Sequence, residues 1–277
     1  MTNDRILASR DRLSLSRRAA LRTLAASGAA LAATPARAVE RATLATAAPG
    51  VIGACANANV ATSAVAGRLA RVEDFSAEAA CQVAPEAVEG PYFVCDDVVS
   101  ARDIAGDRDG MPMTLAIRVL DRSCAPVPGA IVDVWQCDAR GNYSGHDVDP
   151  DNLVVDRRLL AYGREPDLPS RFLRGVLATD ADGIVEFDMI YPGYYDKRAV
   201  HTHYKVHLGN RPYATGQALY PEEINERVFR TAPYDAPRGA ARVANADDPP
   251  GVGDVGRFDV VKRNGRLLSL LALGVTT

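Results

Sequence analysis

From residue 81 onward, short apolar runs alternate with clusters of turn residues, and the runs have the length and composition of strands. Residues 113–120, 130–137, 175–179, 184–189, 201–208 and 258–262 are such runs. The DADG stretch at 180–183 supplies a turn between two of them. Asn264-Gly265, between FDVVK and LLSLLAL, is a strong hairpin signal. One short helix is predicted around PEEINERVF (221–229), where Pro221 suits an early helical position. The pattern predicts an all-β protein, a β-sandwich without internal repeats. The domain runs over 79–277, and the Ala-, Thr-, Val- and Gly-rich stretch 39–78 lacks periodicity and reads as a flexible lead-in.

The first 38 residues stand apart. SRRAALR (16–22) leads into an apolar, small-residue run at 24–33 and then ARA (36–38), the pattern of a cleavable export signal with a twin-arginine pair. The run is too short to span a bilayer. An ordinary Sec signal and a lipoprotein site at IGAC (52–55), with a lipid on Cys55, are the alternatives. Each of them predicts an exported protein, periplasmic or secreted. Loss of seven arginines and two aspartates with the leader takes the formal charge from −3 to −8. That balance excludes a basic nucleic-acid surface and disfavours anionic lipid. With 47% hydrophobic residues the chain can bury a substantial core. Among its five cysteines, Cys55 sits alone, and Cys81, Cys95, Cys124 and Cys137 are candidates for two bridges whose pairing the sequence leaves open.

The candidate chemistry lies in four residues, Tyr143, Tyr195, His201 and His203. Two phenols and two imidazoles suggest non-haem Fe(III). A free phenol ionises near pH 10, and a hard trivalent cation lowers that value for any phenol it binds. Two phenolates and one hydroxide balance three positive charges, so such a site can be buried without a large unpaired charge. In a strand, His201 and His203 share a face while Thr202 and Tyr204 point away. His207 keeps the same parity but lies roughly 13 Å beyond His203 along an extended strand, too far to be a ligand. Taken singly, an H-x-H pair or a tyrosine in a β-protein is more often a packing residue.

Five segments carry a resemblance: PEAVEGPYF (85–93), GAIVDVWQCDARGNYSG (129–145), FLRGVLATDADGIVEF (172–187), IYPGYYDKRAVHTHYKV (190–206) and TGQALYPEE (215–223). In order and spacing they resemble the intradiol ring-cleavage dioxygenases, and most closely the exported branch of that family. The resemblance implies a transthyretin-like sandwich with few short helices and an iron site built from loops and strand ends. It implies ferric iron held by Tyr143, Tyr195, His201 and His203, with Tyr195 released when substrate binds. It implies further roles for Arg198, in stabilising developing charge, and for Gln217, in orienting the reactants. The implied reaction cleaves a catechol-type ring between its hydroxylated carbons with O2, giving a cis,cis-muconate-type diacid. Gln136, Leu177 and Tyr204 depart from the family's usual residues, which puts substrate preference in doubt if they border the pocket. His146 reads as a loop residue and Trp135, the only tryptophan, as a core anchor. The competing readings are a non-catalytic transthyretin-like binding module and a protein that uses the histidine pair for another metal. An extradiol site would need a carboxylate with the two histidines, and the motifs supply none.

Overall fold

The structure is a computed structural model that describes residues 60–76, 82–94, 98–152, 165–209, 211–249 and 255–276. Two sheets form a sandwich. The first is four-stranded, with β1 (Pro112–Leu120), β4 (Ile184–Ile190), β8 (Asp259–Arg263) and β9 (Arg266–Gly274) in the order β4-β1-β9-β8. The second is five-stranded, with β2 (Ile131–Trp135), β3 (Arg174–Ala178), β5 (His201–Leu208), β6 (Arg211–Leu219) and β7 (Gly256–Arg257) in the order β3-β2-β5-β6-β7. Among the described residues there is one α-helix, α1 (Glu222–Val228), and Pro221 is the residue just before its first turn.

Alternation along the strands fills the space between the sheets. Met113, Leu115, Ile117 and Val119 of β1 and Val185, Phe187 and Met189 of β4 face inward from one side. Val132, Val134, Leu177, Tyr204, Val206, Ala214 and Ala218 face them from the other. A slip of one residue in any of these strands would exchange its apolar and polar faces, so burial fixes the register. Asn264 and Gly265, both with positive φ (50° and 80°), close the β8–β9 hairpin as the dipeptide predicts. Of the strands, β6 and β7 had no pattern signal: Pro212 and Gly216 interrupt the first, and the second is two residues long.

The lead-in requires a correction. Residues 60–76, part of the stretch 39–78 expected to be flexible, pack against the sandwich. Ser63 N–H donates to the Ala178 carbonyl at 2.8 Å, and Arg68 pairs with Asp180 at 2.5 Å and Asp182 at 2.9 Å. The amides of Leu69 and Ala70 donate to the buried Glu186 at 3.1 and 2.6 Å. Ala70 and Phe75 then cover Ala116, Ile184, Leu268 and Leu270 on the outer face of the four-stranded sheet. An extended segment held by backbone donors and isolated side chains has no period to read, so composition alone misjudged it.

The proposed export signal (1–38) and Cys55 lie outside the described residues. Among the described residues no helix is long and apolar enough to cross a membrane. Phe75→Ala is expected to lower unfolding free energy by about 3 kcal/mol, the usual cost of deleting a buried phenyl ring. Urea titration reads this directly, and a change near zero would mean that residues 60–76 do not dock.

Candidate metal centre

The register of the five-stranded sheet assembles the floor of the site. Arg174 of β3 pairs with Trp135 of β2, Trp135 with His203 of β5, and His203 with Gln217 of β6. All four side chains stand on the outer face, because their neighbours along each strand point into the core. Thr202, on the core side, donates to Gln136 Oε1 at 2.6 Å and shares a 2.7 Å hydrogen bond with the Tyr220 hydroxyl. His207 keeps the outward parity but is bound by Asp133 at 2.8 Å, away from the other two histidines.

The phenols come from loops above that floor. Tyr143 follows β2, and Tyr195 ends the turn that leaves β4. A Cβ on Gly193 would lie 2.6 Å from the carbonyl oxygens of both Asp138 and Ala139, so glycine alone allows this turn to approach the Tyr143 loop. The two phenol rings meet edge to face with centroids 5.5 Å apart. Tyr92, from the EGPY segment, stacks on Tyr143 at 4.5 Å and meets Tyr195 edge-on at 5.9 Å.

The donor atoms converge. His201 Nε2 lies 3.0 Å from His203 Nε2 and 3.3 Å from the Tyr195 hydroxyl. His201 Nδ1 donates to the Ala199 carbonyl at 2.7 Å, so in the neutral ring Nε2 carries the lone pair and faces the site. Burial, reinforced by the positive charge of Arg198, lowers the His201 pKa to about 3. Burial, His201 and Arg198 also take His203 well below the ordinary histidine value. Both imidazoles are therefore neutral at physiological pH, as metal ligation requires. The phenols shift in the opposite direction. Burial raises Tyr143 well above 10, helped by Tyr195 and Cys137, and burial raises Tyr195 against the opposing pull of Arg198. Without a cation, both tyrosines hold their protons.

These residues fit a hard trivalent ion. The Tyr143 hydroxyl is buried without a hydrogen-bond partner, which is costly unless a ligand engages the group. Two nitrogens each about 2.1 Å from one ion and at right angles to each other lie about 3 Å apart, close to the observed His201–His203 separation. Among the described residues no three His, Cys, Asp or Glu side chains gather into a metal site, so an ion here must draw on the phenols.

Arg198 borders the quartet as the motif implied. Its Nη1 donates to the Tyr195 hydroxyl at 3.1 Å and its Nη2 to Gln217 Oε1 at 2.6 Å. Gln217 Nε2 donates in turn to the Val88 carbonyl at 2.9 Å, so both ends of its amide are engaged. Burial opposes the charge of Arg198, but Tyr195 and Asp248 outweigh it and raise the guanidinium pKa.

Four residues around the site carried no functional signal in the sequence reading: Tyr92, Trp135, Arg174 and Asp248. Trp135 is a buried core residue as expected, but its cluster is the one formed with Tyr92, Cys137, Tyr143 and Tyr195, and its ring stacks on His203 at 4.9 Å. Arg174, fully buried, donates to Ser144 and lies 5.8 Å from the Tyr143 ring centre. The PEAVEGPYF motif offered Tyr92, but no periodicity distinguishes a stacking tyrosine from a loop one. The suspected pocket positions Leu177 and Tyr204 are core residues, and Gln136 is buried between the Ile190 carbonyl and Thr202. His146, read as a plain loop histidine, is buried with its ring 5.3 Å from that of Tyr92. Cys137 is a buried free thiol beside Tyr143 and Tyr195, which excludes it from a bridge. Cys124 is disulfide-bonded.

A family model described as Dioxygenase matches residues 88–211, which include the quartet and Arg198. An intradiol ring-cleavage dioxygenase from Tetranychus urticae shares 29% identity at a TM-score of 0.60, over 71% of this chain and 95% of that structure. Over these residues the chain is similar to the intradiol ring-cleavage dioxygenases. Catechol 1,2-dioxygenase 1 of Acinetobacter lwoffii is 32% identical over 115 residues, 40% of this chain and 32% of that protein. Hydroxyquinol 1,2-dioxygenase of a Rhizobium species is 34% identical over 110 residues, 39% of this chain and 32% of that protein. The chain thus matches about a third of the length of these curated intradiol dioxygenases. Gln217 and Asp248 lie beyond the residues matched by the family model.

Uptake of a trivalent ion is expected to release at least two protons near pH 7, one from each phenol and none from the already neutral imidazoles. Affinity then rises with pH. Calorimetry in buffers of different ionisation enthalpy counts the protons, and release of fewer than two would exclude a bis-phenolate site.

Proposed function

We propose that this protein is a non-haem Fe(III) dioxygenase that cleaves a catechol-type ring between its two hydroxylated carbons. The product is a cis,cis-muconate-type diacid, in which both atoms of O2 end in the substrate, so no external reductant is consumed. The observation that carries the reading is the convergence of His201, His203 and Tyr195 donor atoms beside the unpartnered phenol of Tyr143. When bound, ferric iron supplies Lewis acidity toward both catechol oxygens and an electron sink that makes the ring carbons reactive to O2.

The protein's own residues do the rest. Tyr195, ionised in the loaded site, is the base that takes a catechol proton, and Arg198 stands 3.1 Å from its oxygen to hold the phenol once it is released. The same guanidinium presents fixed positive charge where negative charge develops on the ring and the entering oxygens. Gln217 ties Arg198 to the Val88 carbonyl and so to the loop that carries Tyr92. His201, fixed in one tautomer by Ala199, keeps its lone pair on the site through the cycle. Tyr143, boxed by Tyr92 and Arg174, stays in place as the permanent phenolate.

The visible spectrum tests this reading. Iron-loaded protein is expected to show a broad tyrosinate-to-iron band that moves to longer wavelength when catechol is added without oxygen. Tyr195→Phe should weaken the band and reduce turnover in a folded protein. A folded, ferric-loaded sample with no band would defeat the proposal.

Export fits the same reading, since a disulfide at Cys124 persists in an oxidising compartment. Expressed with its leader, the protein should be recovered outside the cytoplasm with Val39 as its first residue, which N-terminal sequencing reads. Retention in the cytoplasm at full length would refute it.

A further inference from the structure

We propose that Asp248 is the positioning residue that sets where Arg198 delivers its charge, an assignment that rests on the ring-cleavage reading of the site. Asp248 lies 50 residues after Arg198, beyond the stretch matched by the family model. Its Oδ1 accepts from Arg198 Nε at 3.0 Å and its Oδ2 from Nη2 at 3.1 Å. This two-point contact fixes the plane of the guanidinium. Nη2 reaches Gln217 with its second hydrogen, and Nη1 is the end left for the Tyr195 hydroxyl. A rotation that broke the Asp248 contact would carry Nη1 off Tyr195.

The same carboxylate acts on a second ligand. Asp248 Oδ1 also accepts from the Ala199 amide at 2.7 Å, and the carbonyl of Ala199 accepts from His201 Nδ1 at 2.7 Å. One side chain therefore supports both the cation beside Tyr195 and the acceptor that fixes the His201 tautomer. The ion pair is nearly closed to solvent, with side-chain exposures of 11% for Arg198 and 6% for Asp248, so its geometry is not averaged by water. The segment is itself tethered: Asn245 donates through its side chain to the Tyr220 carbonyl at 2.7 Å and through its amide to Glu222 at 3.4 Å. The segment that carries Asp248 is thus anchored to the start of α1.

Iron-loaded wild type, Asp248→Ala, Asp248→Asn, Arg198→Ala and the double variant Arg198→Ala/Asp248→Ala test the assignment. Asp248→Ala is expected to lower kcat on the order of 10²-fold, the scale of a misplaced catalytic group, with a smaller change in KM. Its tyrosinate band should move to longer wavelength, because a phenolate that loses a guanidinium donor gives up electrons more easily. In the metal-free protein the Ala199 amide should exchange with solvent faster. Asp248→Asn keeps the shape without the charge and should fall between wild type and Asp248→Ala. In the Arg198→Ala background, Asp248→Ala should lower kcat far less than it does in the wild type, because the larger part of its action passes through the guanidinium and only its support of Ala199 is left to lose. If Asp248→Ala fails to fold, Asp248→Asn and the double variant carry the test, the latter having lost both buried charges. Unchanged band and kcat in a folded Asp248 variant, or a full further loss in the Arg198→Ala background, would overturn the assignment while leaving the metal-centre reading intact. Absence of a tyrosinate band in wild type would overturn both.

Discussion

Everything at the site depends on how β5 is paired between β2 and β6. Antiparallel pairing sets Trp135, His203 and Gln217 directly opposite one another, and Arg174 extends the row onto β3. The register is held by the other face of the same strands, where Val132, Val134, Tyr204, Val206, Ala214 and Ala218 fill the sandwich. Apolar burial on one side thus fixes polar geometry on the other. A strand displaced by one residue would lose the core and the site together.

The site is also an electrostatic arrangement. Two imidazoles are kept neutral, two phenols are kept protonated, and two guanidiniums lie among them, Arg174 buried and Arg198 nearly so. Asp248 answers the charge of Arg198, and burial in turn pushes the Asp248 carboxyl up while Arg198 holds it below its usual value. Among the described residues no carboxylate pairs with Arg174. Burial lowers its pKa to about 9, and Tyr143 is the neighbour that works against the fall. Ionised tyrosines would give both arginines a close negative charge, so the charge pattern anticipates the phenolates that a hard cation would create.

The two outer faces of the sandwich serve different ends. On the four-stranded sheet, Ala70 and Phe75 cover apolar residues and Arg68 ties the incoming chain to the DADG turn. On the five-stranded sheet, the 82–94 segment crosses the strands near the site: Ala87 donates to the Thr215 carbonyl, Val88 accepts from Gln217, and Glu89 pairs with Lys205. That crossing brings Tyr92 onto Tyr143. One covering segment completes a core, and the other completes the candidate site.

Strand alternation, the Asn264-Gly265 hairpin and the i, i+2 pairing of His201 with His203 were legible in the sequence, because each depends on the local backbone period. The four ligand candidates and Arg198 were legible too, since their chemistry and motif spacing survive in one dimension. The tertiary structure decided the rest. It turned Trp135 onto His203, placed Leu177 and Tyr204 in the core rather than the pocket, left Cys137 unpaired, and docked residues 60–76. It also brought Asp248 across 50 residues to Arg198. These outcomes depend on which distant strands and loops become neighbours. That is settled by packing and by the need to pair buried charge, and neither leaves a periodic trace along the chain.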